Sequence, residues 1–363
     1  MKYADEFRDP QLAKGLLAAI EKEVADYSGT MTLMEVCGTH TMAIYQHGIR
    51  SLLPAQIRLI SGPGCPVCVT PIGYVDRAVA YARQEDVIIA TFGDMLRVPG
   101  SSSSLQREQA GGAQVRIVYS PLDAVALAEK QPDKKIIFLG VGFETTAPTI
   151  AGSIVAAKRR GLNNYFVLCA HKTMPTPMAA LTSDPELQVD GYICPAHVSA
   201  VIGSDAYRPL AEQFKVPCVV TGFEPLDMLR GIQLLARQVV AGRAAVENEY
   251  QRIVKPAGNL KAQALLEEVF EPCDTAWRGI GVIPGSGLKI SAAYADFDAE
   301  LQLLVAVEEP KEHQGCLCGE ILKGKVTPKD CPLFRTACTP ENPVGACMVS
   351  SEGTCAAEYK YGC

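Results

Sequence analysis

No uncharged apolar run in this chain approaches the ~20 residues that a helix needs to cross a bilayer, so a membrane-spanning protein is not expected. The N-terminus, MKYADEFRDPQLAKGLLAAIEKEV, lacks an apolar h-region and a small-residue cleavage site and carries acidic residues early. It reads as an amphipathic helix rather than a secretion signal, and the expected location is the cytoplasm. There is no basic stripe and the net charge is -6, so release of counterions from phosphates has little to act on. Nucleic acid is therefore not an expected partner. The stretch PGSGLKIS resembles a phosphate loop only superficially, because it lacks the G-x-x-x-x-G-K-[ST] spacing. A second C-x-x-C at zinc-ribbon distance from the one at residues 65–68 is missing too.

Cysteine, by contrast, is abundant: 14 in 363 residues. A reducing compartment disfavours a structural disulfide framework, which leaves metal binding or thiol chemistry as the expectation. The balance of 48% hydrophobic and 20% charged residues is that of a globular protein. The length suggests two or three domains at roughly 100 to 200 residues each.

Short apolar runs alternate with helical patterns through the first two thirds of the chain, which predicts an α/β fold with parallel sheets. MTLMEVCG, IRLISGPGC, DVIIATFGD and VRIVYSP form one set of strands. After the polar break EKQPDKK come KIIFLGVGFE, NYFVLCAHK, DGYICPAHVS and CVVTGFEP. Four units followed by four, with the similar words GVGFETTAP and TGFEPLDM, read as two similar parallel-sheet α/β domains, a duplicated architecture, although short glycine-rich words also match by chance. A cysteine-rich iron-sulfur domain completes the expected organisation. The boundaries are an N-terminal helix in 1–30 packed on the third domain, a first α/β domain at 31–128, a second at 129–245, and the C-terminal domain at 246–363.

Most of the chemically interesting side chains follow a predicted strand: Cys37 and His40, Cys65 and Cys68, Asp94, Glu144, His171 and Lys172, His197, and Glu224. Ligands of open parallel sheets bind beyond the carboxyl ends of strands, so these residues are expected to converge on one face or in a cleft. The glycines and prolines of SGPGCPVCVTP make a rigid turn, suited to a redox pair or to metal. A helix over TPIGYVDRAVAYARQ would favour thiolate by its dipole. Neighbouring strands lie about 4.8 Å apart, so Cys37, Cys65 and Cys68 can share one site. Cys169, Cys194, Cys218 and Cys273 read as ordinary buried cysteines.

The tail from residue 316 has weak periodicity, and a segment that buries little apolar surface is naturally held by metal. Cys318, Cys331, Cys338 and Cys355 are spaced C-x12-C-x6-C-x16-C, and Cys316 in place of Cys318 gives C-x14 at the first step. Several thiolates without histidine suit an iron-sulfur cluster or zinc; the irregular spacing and the spare cysteine point to the cluster.

Taken together, EVCGTHTMAI, SGPGCPVCVTP, GFETTAP, PAHVSAVIG, GFEPLDML and CMVSSEGTCAA resemble the HypD family of hydrogenase maturation proteins, over essentially the whole chain. The resemblance implies a scaffold that, with the small chaperone HypC, holds the iron on which the cyanide and carbon monoxide ligands of [NiFe]-hydrogenase are assembled. HypE would supply the cyanide, and the hydrogenase large subunit would be an indirect partner. Cys37 would be the iron thiolate shared with HypC, and Cys65 and Cys68 a redox pair beside it or further iron ligands. His40 and Glu144 would join that pair as chemically active side chains, and the tail cysteines would bind a 4Fe-4S cluster. Outside the resemblance, the residues also fit a stand-alone iron-sulfur dithiol oxidoreductase or a zinc-stabilised binding module.

Overall fold

A computed structural model describes residues 5–362. Its strands in chain order are β1 (Met31–Glu35), β2 (Ile57–Ser61), β3 (Val87–Thr91), β4 (Val115–Ile117), β5 (Lys135–Gly140), β6 (Tyr165–Cys169), β7 (Gly191–Pro195), β8 (Cys218–Thr221), β9 (Val246–Asn248), β10 (Phe270–Trp277) and β11 (Gly281–Ile290). All eight expected strands form, as β1 to β8. Runs such as VIIAT and MTLME are buried at every position because helices cover both faces of a parallel sheet.

The strands pair in an order that differs from the two consecutive sets. One parallel sheet runs β2-β1-β7-β8-β9 and the other β4-β3-β5-β6. The chain therefore leaves the first sheet after β2, builds the whole second sheet, and returns at β7. The sheets do not divide at residue 128. Each parallel strand needs a crossover in any case, so sequence neighbours are not forced to be sheet neighbours.

Side chains alternate between two environments along the strands, as the period of two demands. Ile136 and Phe138 of β5 enter one apolar cluster, and Ile137 and Leu139 enter another that also receives Met34, Ile60, Tyr192 and Val220 of the first sheet. This second cluster is a common core of the two sheets. The N-terminal helix, Pro10–Val24, begins where the Asp9 carboxylate accepts from the Gln11 and Leu12 amides. Its Ile20 and Val24 pack with Leu229 and Ile232 of the helix Pro225–Val240, so it lies against the first sheet's own helix layer and not on the C-terminal third.

The C-terminal third is not a separate unit starting at 246 either. β9 belongs to the first sheet, and the antiparallel pair β10-β11 is stitched to the second through Leu288 N to His171 O (3.1 Å) and Thr173 N to Ser286 O (2.9 Å). The tail places Ile321, Leu322, Met348 and Val349 in the common core. Each buried aliphatic side chain of this size contributes on the order of 1.5–3 kcal/mol. The tail thus has an apolar anchorage that its weak periodicity concealed. Among the described residues, no helix is long and apolar enough to cross a membrane.

Candidate functional site

β1 and β2 are neighbours in register, with Glu35 opposite Ser61, so the turns that follow them lie side by side. The Gly38 amide donates to the Gly64 carbonyl at 3.0 Å, and Gly62 N donates to Glu35 O at 2.8 Å. A Cβ on Gly64 would stand 2.1 Å from the Cys37 nitrogen, so only glycine admits this contact. Gly64→Ala is accordingly expected to lower stability by about 2–4 kcal/mol, as backbone overpacking in a core does. An unchanged denaturant midpoint in that variant would show that the two turns are not in contact.

Cys37 precedes the helix Gly38–Gln46. Its amide donates to Glu35 Oε2 at 3.0 Å, while Thr41 Oγ1 donates to the other carboxylate oxygen. Burial raises Glu35 to about 7, against hydrogen bonds from Ser61, Thr41 and the Cys37 amide. The Cys37 thiol is pushed up to about 12, first by burial and then by Glu352. It stays protonated at neutral pH unless a cation replaces the proton. Glu352, from the tail, accepts from Thr39 Oγ1 at 2.7 Å, so the Cys37 turn is held between the C-x-x-C loop and the tail.

Two imidazoles flank this turn. His197 Nε2 lies 3.9 Å from Cys37 Sγ, across 160 positions of sequence. His40 Nε2 lies 2.9 Å from Gly222 O, so this nitrogen carries the proton and donates, leaving the lone pair on Nδ1. That Nδ1 is buried without a partner. Phe223 sits between the rings, 4.7 Å from His40 and 5.0 Å from His197. Burial lowers both imidazoles to about 4, so both are neutral near pH 7. A thiol beside a neutral imidazole in an apolar setting is a donor set for a soft or borderline cation.

Cys65 and Cys68 form a disulfide, and Cys65 Sγ also accepts the Cys68 amide at 3.2 Å, capping the single turn Pro66–Val69. The expected longer helix forms as a separate element, Ile72–Ala82, beginning after Pro71. The turn carrying the pair packs against the tail helix Ala346–Val349. Cys65, Cys68, Cys318 and Cys347 all belong to the common core.

In the tail, Cys318 Sγ and Cys347 Sγ stand 2.7 Å apart. Hydrogen bonds from Cys316 and Cys347 hold the Cys318 thiol well below its ordinary value, whereas hydrogen bonds to Cys318 and Cys355 raise Cys347. A Cβ on Gly345 would lie 3.0 Å from Cys316 Sγ and 3.9 Å from Cys318 Sγ. Cys338 Sγ accepts the Val344 amide at 3.3 Å, and Cys331 Sγ lies 3.8 Å from Gly315 O. Among the described residues, no three cysteine, histidine or carboxylate side chains are arranged to hold a single metal ion. The tail's donors are sulfur only, with Cys318, Cys331, Cys338, Cys347 and Cys355 buried and Cys316 half-buried.

The strand-end residues do not all converge. Glu144 lies in the loop after β5 of the other sheet, where Oε1 accepts the Met174 amide at 2.8 Å and burial raises the carboxyl to about 7. Among the described residues it makes no hydrogen bond to Cys37, Cys65 or Cys68. His171 Nδ1 is 3.2 Å from Cys169 Sγ, and Lys172 Nζ donates to Ala276 O at 2.8 Å, tying down β10. Asp94 accepts from Ser350 Oγ at 3.2 Å, and Glu224 pairs with Arg8. Sequence reasoning missed Glu35, Glu352 and Cys347. All three lie inside the distinctive words EVCGTH and CMVSSEGTC, which was the available signal.

Comparison with known proteins gives a consistent picture. The HypD family model, described as "Hydrogenase formation hypA family", matches residues 11–362. The chain is 51% identical to hydrogenase maturation factor HypD of Azotobacter vinelandii, covering 100% of this chain and 97% of the relative. It is 50% identical to the hydrogenase expression/formation protein HupD of Azotobacter chroococcum, with coverage of 100% and 97%. Identity to hydrogenase maturation factor HypD of Escherichia coli is 45%, over 99% of this chain and 98% of the relative.

Proposed function

This chain belongs to the HypD family, and from that premise we propose that it is a hydrogenase maturation factor whose Cys37 holds iron as cargo. The small chaperone HypC shares that iron, and HypE delivers the cyanide. The observation that carries this reading is the position of the Cys37 turn, gripped by the C-x-x-C loop on one side and by Glu352 of the tail on the other. Cys37 offers one buried thiol with a neutral imidazole at 3.9 Å, and the Cys65–Cys68 disulfide and the Cys318 and Cys347 thiols lie in the core alongside.

In this reading Cys316, Cys331, Cys338 and Cys355, spaced C-x14-C-x6-C-x16-C, are the cluster ligands, and Cys318 and Cys347, whose sulfurs stand 2.7 Å apart, are a second thiol pair. A bound 4Fe-4S cluster supplies electrons one at a time. The thiol pairs handle them two at a time. Cleaving a thiocyanate, R–S–C≡N, takes two electrons and one proton and gives R–SH and cyanide. A dithiol that closes to a disulfide releases two electrons and two protons, so one turnover of the Cys65 and Cys68 pair balances one cyanide. The shared core also favours a second reading, a stand-alone dithiol oxidoreductase; co-purification with a HypC-type chaperone distinguishes the two.

Metal analysis tests the cluster assignment. Anaerobically purified protein should contain about four iron and four sulfide per chain beyond any cargo iron. Cys331→Ala should lose them together with the cluster's visible absorbance, while the sheets, which hold the tail through the common core, stay folded. Full iron and sulfide in folded Cys331→Ala removes that residue from the set, and zinc in place of iron would replace the redox reading with a structural one.

A further inference from the structure

A cavity of about 50 Å³ lies at the seam between the first sheet and the tail. Tyr45, Arg50, Arg58 and Ser61, all between β1 and the end of β2, line one side, and Thr327 and Thr354 of the tail line the other. At ~10–15 Å³ per water it holds roughly four waters, or one tetrahedral oxyanion in their place. Among the described residues, no carboxylate lines it. Three of the hydroxyls are already committed to carboxylates behind the wall: Tyr45 to Glu358, Ser61 to Glu35 and Thr327 to Asp330. Arg50 donates from Nη1 to the Tyr45 hydroxyl and from Nη2 to Ser61 Oγ at 3.2 Å, which uses two of its five N–H groups. Its Nε is buried without a partner. Arg58 is exposed and Thr354 only 6% exposed, and among the described residues neither the guanidinium of the one nor the hydroxyl of the other has a partner. Two guanidinium groups and one buried hydroxyl thus face a small cavity with donors to spare and no acid to meet them. A guanidinium cannot shed its proton, so a negatively charged acceptor is the complement this lining calls for.

We propose that this cavity is a binding site for a phosphate group, held by Arg50 and Arg58 on the sheet side and by the Thr354 hydroxyl on the tail side. The inference goes beyond the proposed function and depends on neither the iron nor the cluster. The planar fork of a guanidinium matches phosphate oxygens, and two such forks offset the charge of about −1.5 to −2 that a phosphate group carries near neutral pH. Chloride satisfies the charge but leaves most of the volume unfilled. The same oxygens arrive on the free ion or on the phosphoryl group of a larger molecule. The cavity has room for the group alone, so a larger molecule must extend past the exposed Arg58. Because the donors come from both sides of the seam, the bound anion ties the tail helix Thr354–Tyr361 to β2.

The test is isothermal titration of anaerobic, full-length protein with inorganic phosphate, in chloride buffer at fixed ionic strength. A single site with a Kd of about 1 mM or tighter is expected. Arg58→Gln, at an exposed position that folding tolerates, should weaken binding about tenfold through loss of one charge-assisted contact, and the nearly isosteric Thr354→Val about three- to tenfold. Arg116→Gln, which removes an exposed arginine on β4 outside the cavity, should leave the affinity unchanged. Phosphate at about ten times its Kd should slow amide exchange in Thr354–Tyr361 about tenfold, and chloride at the same ionic strength should not. Glycerol 3-phosphate that binds as tightly as phosphate assigns the site to the phosphoryl group of a larger molecule, and binding of phosphate alone assigns it to the free ion; either result supports the site. No saturable binding up to about 10 mM phosphate, or undiminished affinity in both Arg58→Gln and Thr354→Val, overturns it. Unaltered exchange in the tail helix at saturation overturns the bridge between tail and sheet.

Discussion

Cys37→Ala should carry no iron bearing cyanide or carbon monoxide, while the tail keeps its full cluster. The turn does not depend on the thiol: Glu35 holds the Cys37 backbone amide, and Gly64 O holds the amide of Gly38. Removing one buried sulfur from such a site costs about 1–2 kcal/mol, small beside the roughly 5–15 kcal/mol of a typical domain. What is lost is the soft anionic donor. His197 and His40 remain as neutral imidazoles, which alone do not replace a thiolate for iron carrying strong-field ligands. Vibrational spectra of the anaerobic complex with HypC decide the matter, because iron-bound cyanide and carbon monoxide absorb where protein does not. Bands that persist in the variant remove Cys37 from the site, and disappearance of the cluster with them would show that the substitution had unfolded the tail.

Cys65→Ser and Cys68→Ser should each stop maturation of a reporter hydrogenase with fold, cluster and HypC binding retained. The pair does not lie in an open loop: Cys65 is 4% exposed and Cys68 0%. A serine hydroxyl buried there costs on the order of 1–3 kcal/mol, which the protein can absorb. The hydroxyl forms no disulfide and remains protonated at neutral pH, so it neither relays electrons nor ligates iron. Normal maturation with either serine would eliminate both roles. Loss of cluster alongside maturation would instead make the loop a structural support for the helix Ala346–Val349 that packs on it.

Local chemistry made much of this legible before any folding was considered. The β-branched runs and the glycine and proline punctuation located β1 to β8, and with them the strand-end positions of Cys37, Cys65 and Cys68. The helix at Pro10–Val24 was equally readable from the amphipathic pattern of the N-terminus. Cys347 was overlooked because spacing counts only candidate ligands along the chain. Its partner Cys318 is 29 residues away, and only a folded tail shows the two sulfurs in contact.

By itself, then, the sequence determined the fold class, the family and the cysteine motifs, because each depends on residues close together in the chain. Tertiary structure decided the rest. It sent β7 back to pair with β1, which brought His197 to Cys37, and it left Glu144 and His171 on the other sheet. It also drew the tail into the core of both sheets, setting Glu352 against Thr39. Strand partners and side-chain neighbours are chosen by burial and hydrogen bonding summed over the whole molecule, and distances of 160 or 313 residues along the chain leave no local trace of that choice.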